Sequence, residues 1–342
     1  MNLLSPFGWL HGRAANVRNS LYDRGTFASH SLGARTISIG NITAGGTGKT
    51  PLVALVSEIL AENGEKICIL TRGYGRQNPK DRILVSDSAK VLVDSKTGGD
   101  EPVELAHKLI GKAVIVADAN RVSAAKWAME KFGVTAFVLD DGFQHRRAKR
   151  DLDIVCIDAT NPFGGGEVLP AGRLREPLAN LRRADSIVIT RSNFAEEIEN
   201  LKFQISNLNP AAAIFLSENH IARLRTLEEF HAKTQSSQRD AKQKRAFAFC
   251  ALGNPNNFFE QLKREDFDLA GTETFPDHYF YKQTDVDGLE KKAGEFEIGA
   301  FVTTAKDAVK LKDMKFEIPC YVVEIEPVIS DAEQFRKLIT AS

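Results

Sequence analysis

From residue 36 onward the chain alternates short β-branched runs with longer segments whose apolar residues recur at helical spacing. That is the pattern of strands joined by crossover helices, hence of a mostly parallel sheet. The apolar runs predict strands over 36–39, 66–70, 114–116, 136–139, 154–157 and 186–189, and the longer segments predict helices over 49–62, 101–110 and 121–132. Segment 82–93 reads as a hairpin-like insertion. The texture changes from about Glu218, and within 231–245 the only apolar residues are Ala232 and Ala241, the composition of a connector or exposed hairpin. Alternation then resumes with strands over 246–252, 300–303 and 319–323 and a helix near 257–264. The expected class is α/β, divided into an N-terminal segment 1–35, a core domain 36–230, a polar linker 231–245 and a smaller C-terminal α/β domain 246–342.

Composition adds exclusions. Lys and Arg number 45 and Asp and Glu 45, so the net charge is zero. With no global field to hold a polyanion, nucleic acid is not an expected partner, and any phosphate recognition must be local. Cys68, Cys156, Cys250 and Cys320 each lie in apolar runs without zinc-ligand spacing and are expected to be buried, reduced thiols of a reducing compartment. No uncharged apolar stretch approaches the ~18 to 20 residues that span a bilayer. The start of the chain lacks the apolar core and cleavage site of a secretory signal.

The first 35 residues cluster Leu3, Leu4, Phe7, Trp9 and Leu10 ahead of Arg13, Arg18 and Arg24; with Arg35, four arginines against Asp23 give +3. Two readings stand: an amphipathic helix packed on the core domain, or one lying on an anionic lipid surface.

The chemistry begins after the first strand. Thr43-Ala44-Gly45-Gly46-Thr47-Gly48-Lys49-Thr50 is a glycine-rich loop between a strand and a helix, the context of a phosphate loop. Small residues let successive N–H groups converge on phosphate oxygens, Lys49 reaches the β and γ phosphates, and Thr50 supplies a hydroxyl for Mg²⁺. Thr43 stands where the strict pattern has glycine. Ala44 stands where partitioning and metal-delivery ATPases carry lysine, which argues against a dimeric switch ATPase. The strand 136–139 ends in Asp140-Asp141, fit to hold Mg²⁺ directly or through water. Segment 143–150 carries four cations within five positions, a solvated basic turn or a surface for an anionic substrate or headgroup.

Taken in order, GNITAGGTGKTP, the 98–102 turn GGDEP, Asp118-Ala119-Asn120-Arg121, LDDGFQHR, the 172–177 segment GRLREP, ALGNP, FPDH and Thr304-Ala305-Lys306-Asp307 resemble the tetraacyldisaccharide 4′-kinase family of lipid A biosynthesis, from about Ser5 to Val323. The resemblance implies a P-loop NTPase-type core and transfer of the γ-phosphate of ATP to the 4′-hydroxyl of an acylated glucosamine disaccharide 1-phosphate. It also implies peripheral placement on the cytoplasmic face of a bacterial inner membrane, with no obligate protein partner. Residue by residue, it implies that Lys49 bridges the β and γ phosphates and that Thr50, Asp140 and Asp141 serve the metal. Gln144 and Glu176 support the metal or its water, Arg121 and Arg175 neutralise phosphate charge, and Asp100 with His278 activates the sugar hydroxyl.

From the residues alone, Asp100 reads first as a helix cap and His278 as a turn residue, and Arg175 could be a surface cation. Rival functions are a switch ATPase that changes partner on hydrolysis and a non-catalytic membrane-associated nucleotide binder. The presence of Lys49, Asp100 and Asp141 together favours the kinase, because binding alone requires no base.

Overall fold

The structure, a computed structural model, describes residues 3–232 and 244–341. Segment 233–243, most of the expected linker, lies outside the described residues. The strands are β1 (Arg35–Asn41), β2 (Ile67–Thr71), β3 (Ile83–Asp87), β4 (Ala113–Ala117), β5 (Ala136–Asp140), β6 (Leu152–Asp158), β7 (Ser186–Thr190), β8 (Ala213–Thr226), β9 (Ala246–Cys250), β10 (Leu269–Thr274), β11 (Ala300–Thr304) and β12 (Cys320–Ile329). All lie in one sheet of order β10-β9-β11-β12-β8-β7-β6-β1-β5-β2-β4-β3. Pairing is parallel except at β3 with β4 and at β8 with β12. The α/β, mostly parallel expectation therefore holds.

The helices are α1 (Ser5–Asp23), α2 (Lys49–Glu62), α3 (Ser95–Gly98), α4 (Asp100–Lys108), α5 (Arg121–Phe132), α6 (Ile198–Leu208), α7 (Leu227–Ala232), α8 (Pro255–Arg264), α9 (Gln283–Ala293), α10 (Ala305–Ala308) and α11 (Ala332–Thr340). In α2, Leu52, Val53, Val56, Ile59 and Leu60 are buried at helical spacing, which is why this segment covers the sheet. For α5, the Asn120 side chain accepts the Ser123 N–H at one end, and Gly133 stops it in the left-handed region, φ 63°. The expected hairpin at 82–93 is edge strand β3 with a tight return, Ser86 bridging Val91. All four cysteines are buried and free, as their apolar settings predict.

Helix α1 packs in an unexpected way. Its buried residues are Gly8, Gly12 and Asn19, while Phe7, Trp9, Leu10 and Val17 are each at least 60% exposed. The glycines allow close approach: a Cβ on Gly8 would fall 2.6 Å from the Val168 carbonyl oxygen. The helix thus docks through its small residues and turns large apolar ones outward.

Candidate active site

β1 runs between β5 and β6, and the loops leaving the carboxyl ends of these parallel strands share one crevice, where α/β sheets bind ligands. The 43–50 loop leaves β1. Its carbonyls are tied back by surrounding side chains: Asn41 Nδ2 donates to Thr43 O at 2.7 Å, Arg173 Nε to Ala44 O at 3.1 Å, Arg191 Nη1 to Gly46 O at 3.1 Å and Thr190 Oγ1 to Thr47 O at 2.9 Å. The Ala44 amide is spent on the Arg173 carbonyl at 2.7 Å, but because a trans peptide sets N–H opposite C=O, anchoring the carbonyls of Ala44, Gly46 and Thr47 on one side turns the amides that follow them to the other. Gly45 has φ 118°, and a Cβ there would meet Arg173 Nη2 at 2.2 Å, so the loop needs glycine at that point. Gly48, φ 75°, opens α2, bringing Lys49 and Thr50 to its first turn.

β5 ends in the two carboxylates. Asp141, at φ 53°, lies 3.7 Å from Lys49 Nζ and receives Arg175 Nη1 at 2.8 Å on both oxygens. Burial pushes the Asp141 carboxyl up, but Lys49, Arg175 and Arg121 outweigh it and hold the group below the usual carboxylate range. Asp140 is buried; its Oδ2 accepts the Thr71 hydroxyl at 2.8 Å. Burial, with Glu101 and Asp141 nearby, pushes Asp140 up to about 6. Arg121 is 4% exposed and its Nη2 donates to Asp140 O at 3.3 Å.

Gln144 and Glu176 form the wall beneath. Gln144 Nε2 donates to Asn41 O at 2.9 Å and to Glu176 Oε1 at 3.0 Å, while its Oε1 faces Arg175 at 3.2 Å. Glu176 has both oxygens engaged, Oε2 by Asn19 Nδ2 of α1 at 2.8 Å and Oε1 also by Arg183 Nη2 at 2.7 Å. Its place is behind Gln144, and through Asn19 it ties α1 to the site. The basic stretch after Gln144 is largely structural: Arg146 pairs with Asp23 at 2.7 Å and Arg150 donates to Gly142 O at 2.7 Å.

Asp100 is the first residue of α4, after Gly99 at φ 93°, so it does not itself occupy the cap position. Its Oδ1 accepts the Glu101 amide at 3.1 Å, and its Oδ2 lies 2.8 Å from His278 Nδ1. Burial alone would raise Asp100; the hydrogen bond with His278 and the charges of Lys306, His278 and Lys310 outweigh it and hold the carboxyl low. That same hydrogen bond, against burial and Lys306, raises His278. Segment 71–75 links the two halves of the site, since Thr71 holds Asp140 and Tyr74 leans on the His278 ring at 5.4 Å.

The expected residues therefore gather as two groups joined by segment 71–75: loop 43–50 with Asp140, Asp141, Arg121, Arg175 and Gln144, and Asp100, whose neighbour Glu101 acts on Asp140, with His278. The sequence reading did not single out Thr71, Arg173 and Arg191 as contributors, and it gave Lys306 no role. Arg173 lies in the quoted GRLREP segment and Thr71 directly follows the predicted strand 66–70; Arg191 follows β7 with no local signal.

Such a site, a phosphate loop facing strand-end carboxylates with an Asp–His pair across from it, defines a P-loop phosphotransferase. The family profile described as tetraacyldisaccharide-1-P 4′-kinase matches residues 1–342, and the chain belongs to that family. Similar proteins include the tetraacyldisaccharide 4′-kinases of Halothermothrix orenii, 36% identical over 91% of this chain and 84% of that protein, and of Desulfotalea psychrophila, 34% identical over 96% and 94%. The crystal structure of LpxK from Aquifex aeolicus, an "apo" form in complex with ATP, is similar with a TM-score of 0.77 at 30% identity, covering 98% of this chain and 97% of that one. The chain is thus a kinase of lipid A biosynthesis.

Proposed function

We propose that the chain carries the γ-phosphoryl group of ATP to the 4′-hydroxyl of a tetraacyldisaccharide 1-phosphate, with the roles divided between the two groups of the crevice. The observation that carries this reading is the Asp100–His278 contact of 2.8 Å beside a phosphate loop whose Lys49 faces Asp141 at 3.7 Å. A nucleotide binder has no use for the first; a kinase acting on an alcohol needs both.

In this reading residues 43–48 cradle the triphosphate and Lys49 spans the β and γ phosphates. Asp100 receives the hydroxyl proton, and His278 fixes and charges its partner's carboxylate. Arg121 and Arg175 neutralise charge on the transferring group, since electrostatic stabilisation dominates phosphoryl transfer. Thr50, Asp140 and Asp141 form a hard oxygen donor set that would hold Mg²⁺, with Gln144 and Glu176 as its support; the ion would supply neutralisation of phosphate charge. Residues 36–230 and 246–342 act as two lobes that carry the nucleotide loop and His278 respectively.

The exposed Phe7, Trp9 and Leu10 beside Arg13 support attachment of α1 to an anionic membrane. A groove of about 340 Å³ lined by Trp9, Arg13, Asn16, Val168, Ala171 and Pro177 runs along the same helix and suits an acyl chain. No described helix is long and apolar enough to cross a bilayer. The test is incubation of the purified protein with ATP, Mg²⁺ and a lipid disaccharide monophosphate, followed by mass spectrometry of the lipid. The expected gain is one phosphoryl group on the second sugar; ATP hydrolysis with an unchanged lipid overturns the reading.

A further inference from the structure

Three cationic or donor groups converge on a single oxygen of Asp100. His278 Nδ1 lies 2.8 Å from Oδ2, and the ammonium groups of Lys306 and Lys310 each lie 3.9 Å from that same atom. The other oxygen, Oδ1, is met by the Glu101 amide at 3.1 Å. His278 belongs to the catalytic pair proposed above. The lysines come from the segment beginning Thr304-Ala305-Lys306-Asp307, which recurs in the family motif order yet has no part in the chemistry described so far.

Lys310 is the unusual one. Its side chain is wholly buried, and its ammonium lies 3.1 Å from Asp307 Oδ1. Asp307 is itself immobilised, because its Oδ2 accepts the Ala251 amide at 3.0 Å and the Thr304 hydroxyl at 2.7 Å. Burying an ammonium is costly, and an ion pair of this kind is often matched or bettered in stability by apolar residues of similar volume. Neither carboxylate contact of Lys310 has hydrogen-bond geometry, so it acts as a fixed point charge in a low-dielectric setting. Lys306 differs: its charge is divided among Asp277 at 3.0 Å, Glu101 at 3.8 Å and Asp100.

We infer that Lys310, anchored by Asp307, is a positioning residue for phosphoryl transfer: with Lys306 and His278 it loads Oδ2 of Asp100 and leaves Oδ1 to take the proton of the attacking hydroxyl. The inference rests on the reading of Asp100 as the base. In the step it serves, the sugar oxygen bonds to phosphorus as its O–H bond breaks and the proton passes to Oδ1. The bond from phosphorus to the bridging oxygen breaks at the same centre, and ADP leaves with that electron pair. Lys310 touches no reacting atom. Its charge keeps Asp100 ionised despite burial, so that the base is ready at lower pH, and its contact orients the carboxylate.

The charges around Asp100 set the direction of the test. Lys306, Lys310 and the His278 cation favour its ionisation; of the acids nearby, Glu101 and Asp277 share the Lys306 charge, and Glu104 on the same helix, pushed up to about 8 by burial, is neutral on the acid limb. Asp307 lies behind Lys310 and partly offsets it. Removing Lys310 therefore moves the ionisation of Asp100 to higher pH.

The experiment measures kcat and the KM for ATP across the acid limb, at Mg²⁺ and ATP concentrations high enough that Asp140→Asn no longer changes the limb's position, for the wild type, Lys310→Met and the double variant Lys310→Met/Asp307→Asn, which removes the pair as a neutral unit. The expected result is an acid limb of kcat displaced upward by about one pH unit, with kcat on that limb about tenfold lower and the KM for ATP within about twofold of wild type. Lys306→Met should displace it less, because its charge is shared. An unshifted limb in the folded double variant overturns the inference. So does a double variant that fails to fold, which would make the pair a stability element. Asp100→Asn, run in parallel, separates the two readings: retained turnover on an unchanged limb defeats the base assignment, whereas an inactive Asp100→Asn beside unshifted Lys310 variants defeats this inference alone.

Discussion

His278 Nδ1 and Asp100 Oδ2 stand 2.8 Å apart although 178 positions separate them in the chain. The contact joins the first turn of α4 to the loop after β10, and it makes a pH-dependent contribution to stability whose sign follows from the two shifts. Asp100 is lowered from 3.8, so its share is present above that value and is lost as pH falls through the depressed folded value. His278 is raised from 6.5, so its share is present below that value and is lost as pH rises through the elevated one. The stability difference between wild type and His278→Ala should therefore be largest between the two ordinary values and shrink on either side, as read by urea titration at about pH 5 and about pH 9. In turnover, Asp100→Ala, His278→Ala and the double variant should lose similar factors, because removing either member already disables the unit. Multiplicative losses would mean that one of them only orients substrate.

Lys49→Ala and Asp141→Ala should each lower kcat by about a hundredfold or more with circular dichroism unchanged. The two side chains are 3.7 Å apart, and Arg175 remains on Asp141 when Lys49 is removed, so that loss exposes no uncompensated carboxylate; in Asp141→Ala, Arg175 keeps Gln144 at 3.2 Å while Lys49 loses its ion-pair partner. Near-normal turnover in a folded variant would remove the residue from the site.

Asp140 shows the opposite relation between stability and function. Its carboxyl is pushed up to about 6 by burial, so the folded state holds a proton more tightly than the unfolded one, and stability falls as pH rises from 3.8 through about 6. Asp140→Asn removes that cost while still offering Thr71 an acceptor. The variant should be more stable than wild type by about 1 to 3 kcal/mol at about pH 8 without added metal, equal to it at about pH 3, and at least a hundredfold slower. Denaturant midpoints at the two pH values decide it; a variant less stable at both would mean that the ionised carboxylate is structural.

The core of the sheet was legible because β1, β2, β4, β5, β6 and β7 are buried on both faces and read as short runs dominated by β-branched and apolar residues. β8 was not. Its second half, Ser217 to Thr226, pairs antiparallel with β12 and leaves Glu218 and His220 exposed, so its polar residues read as a change of texture instead of a strand. The glycine loop and Asp140-Asp141 were visible as local motifs. Pairings such as Asp100 with His278 came only from family resemblance, since nothing near either residue in sequence announces a partner from another strand connection. Lys306 and Lys310 were hidden differently: in a stretch rich in Lys and Asp, two lysines four apart look like an ordinary solvated face, and only the burial of Lys310 sets it apart.

The N-terminal helix packs on the core as one of the two sequence readings expects, docked through Gly8, Gly12 and Asn19, and turns Phe7, Trp9 and Leu10 outward. Deleting the helix is a poor test of membrane attachment. It would remove Asn19 from Glu176 at 2.8 Å and Arg18 from the Gln144 carbonyl at 2.9 Å, disturbing the wall of the site along with the surface. Replacing Phe7, Trp9 and Leu10 with serine leaves those contacts intact, since the three side chains are 62%, 67% and 61% exposed. Burial of exposed apolar area in a bilayer is worth roughly 25 cal/mol per Å², so losing three large side chains should weaken binding to anionic vesicles by at least tenfold. Nucleotide affinity and melting temperature should stay near wild type. Activity should fall on acceptor embedded in vesicles and persist on acceptor dispersed in detergent, where no surface has to be found. Raising the salt should weaken vesicle binding of the wild type further, because the arginines of the segment act on lipid headgroups through a screened field. Cosedimentation with vesicles reads all of this, and a triple variant that still sediments like the wild type would leave the outward apolar face without a membrane role.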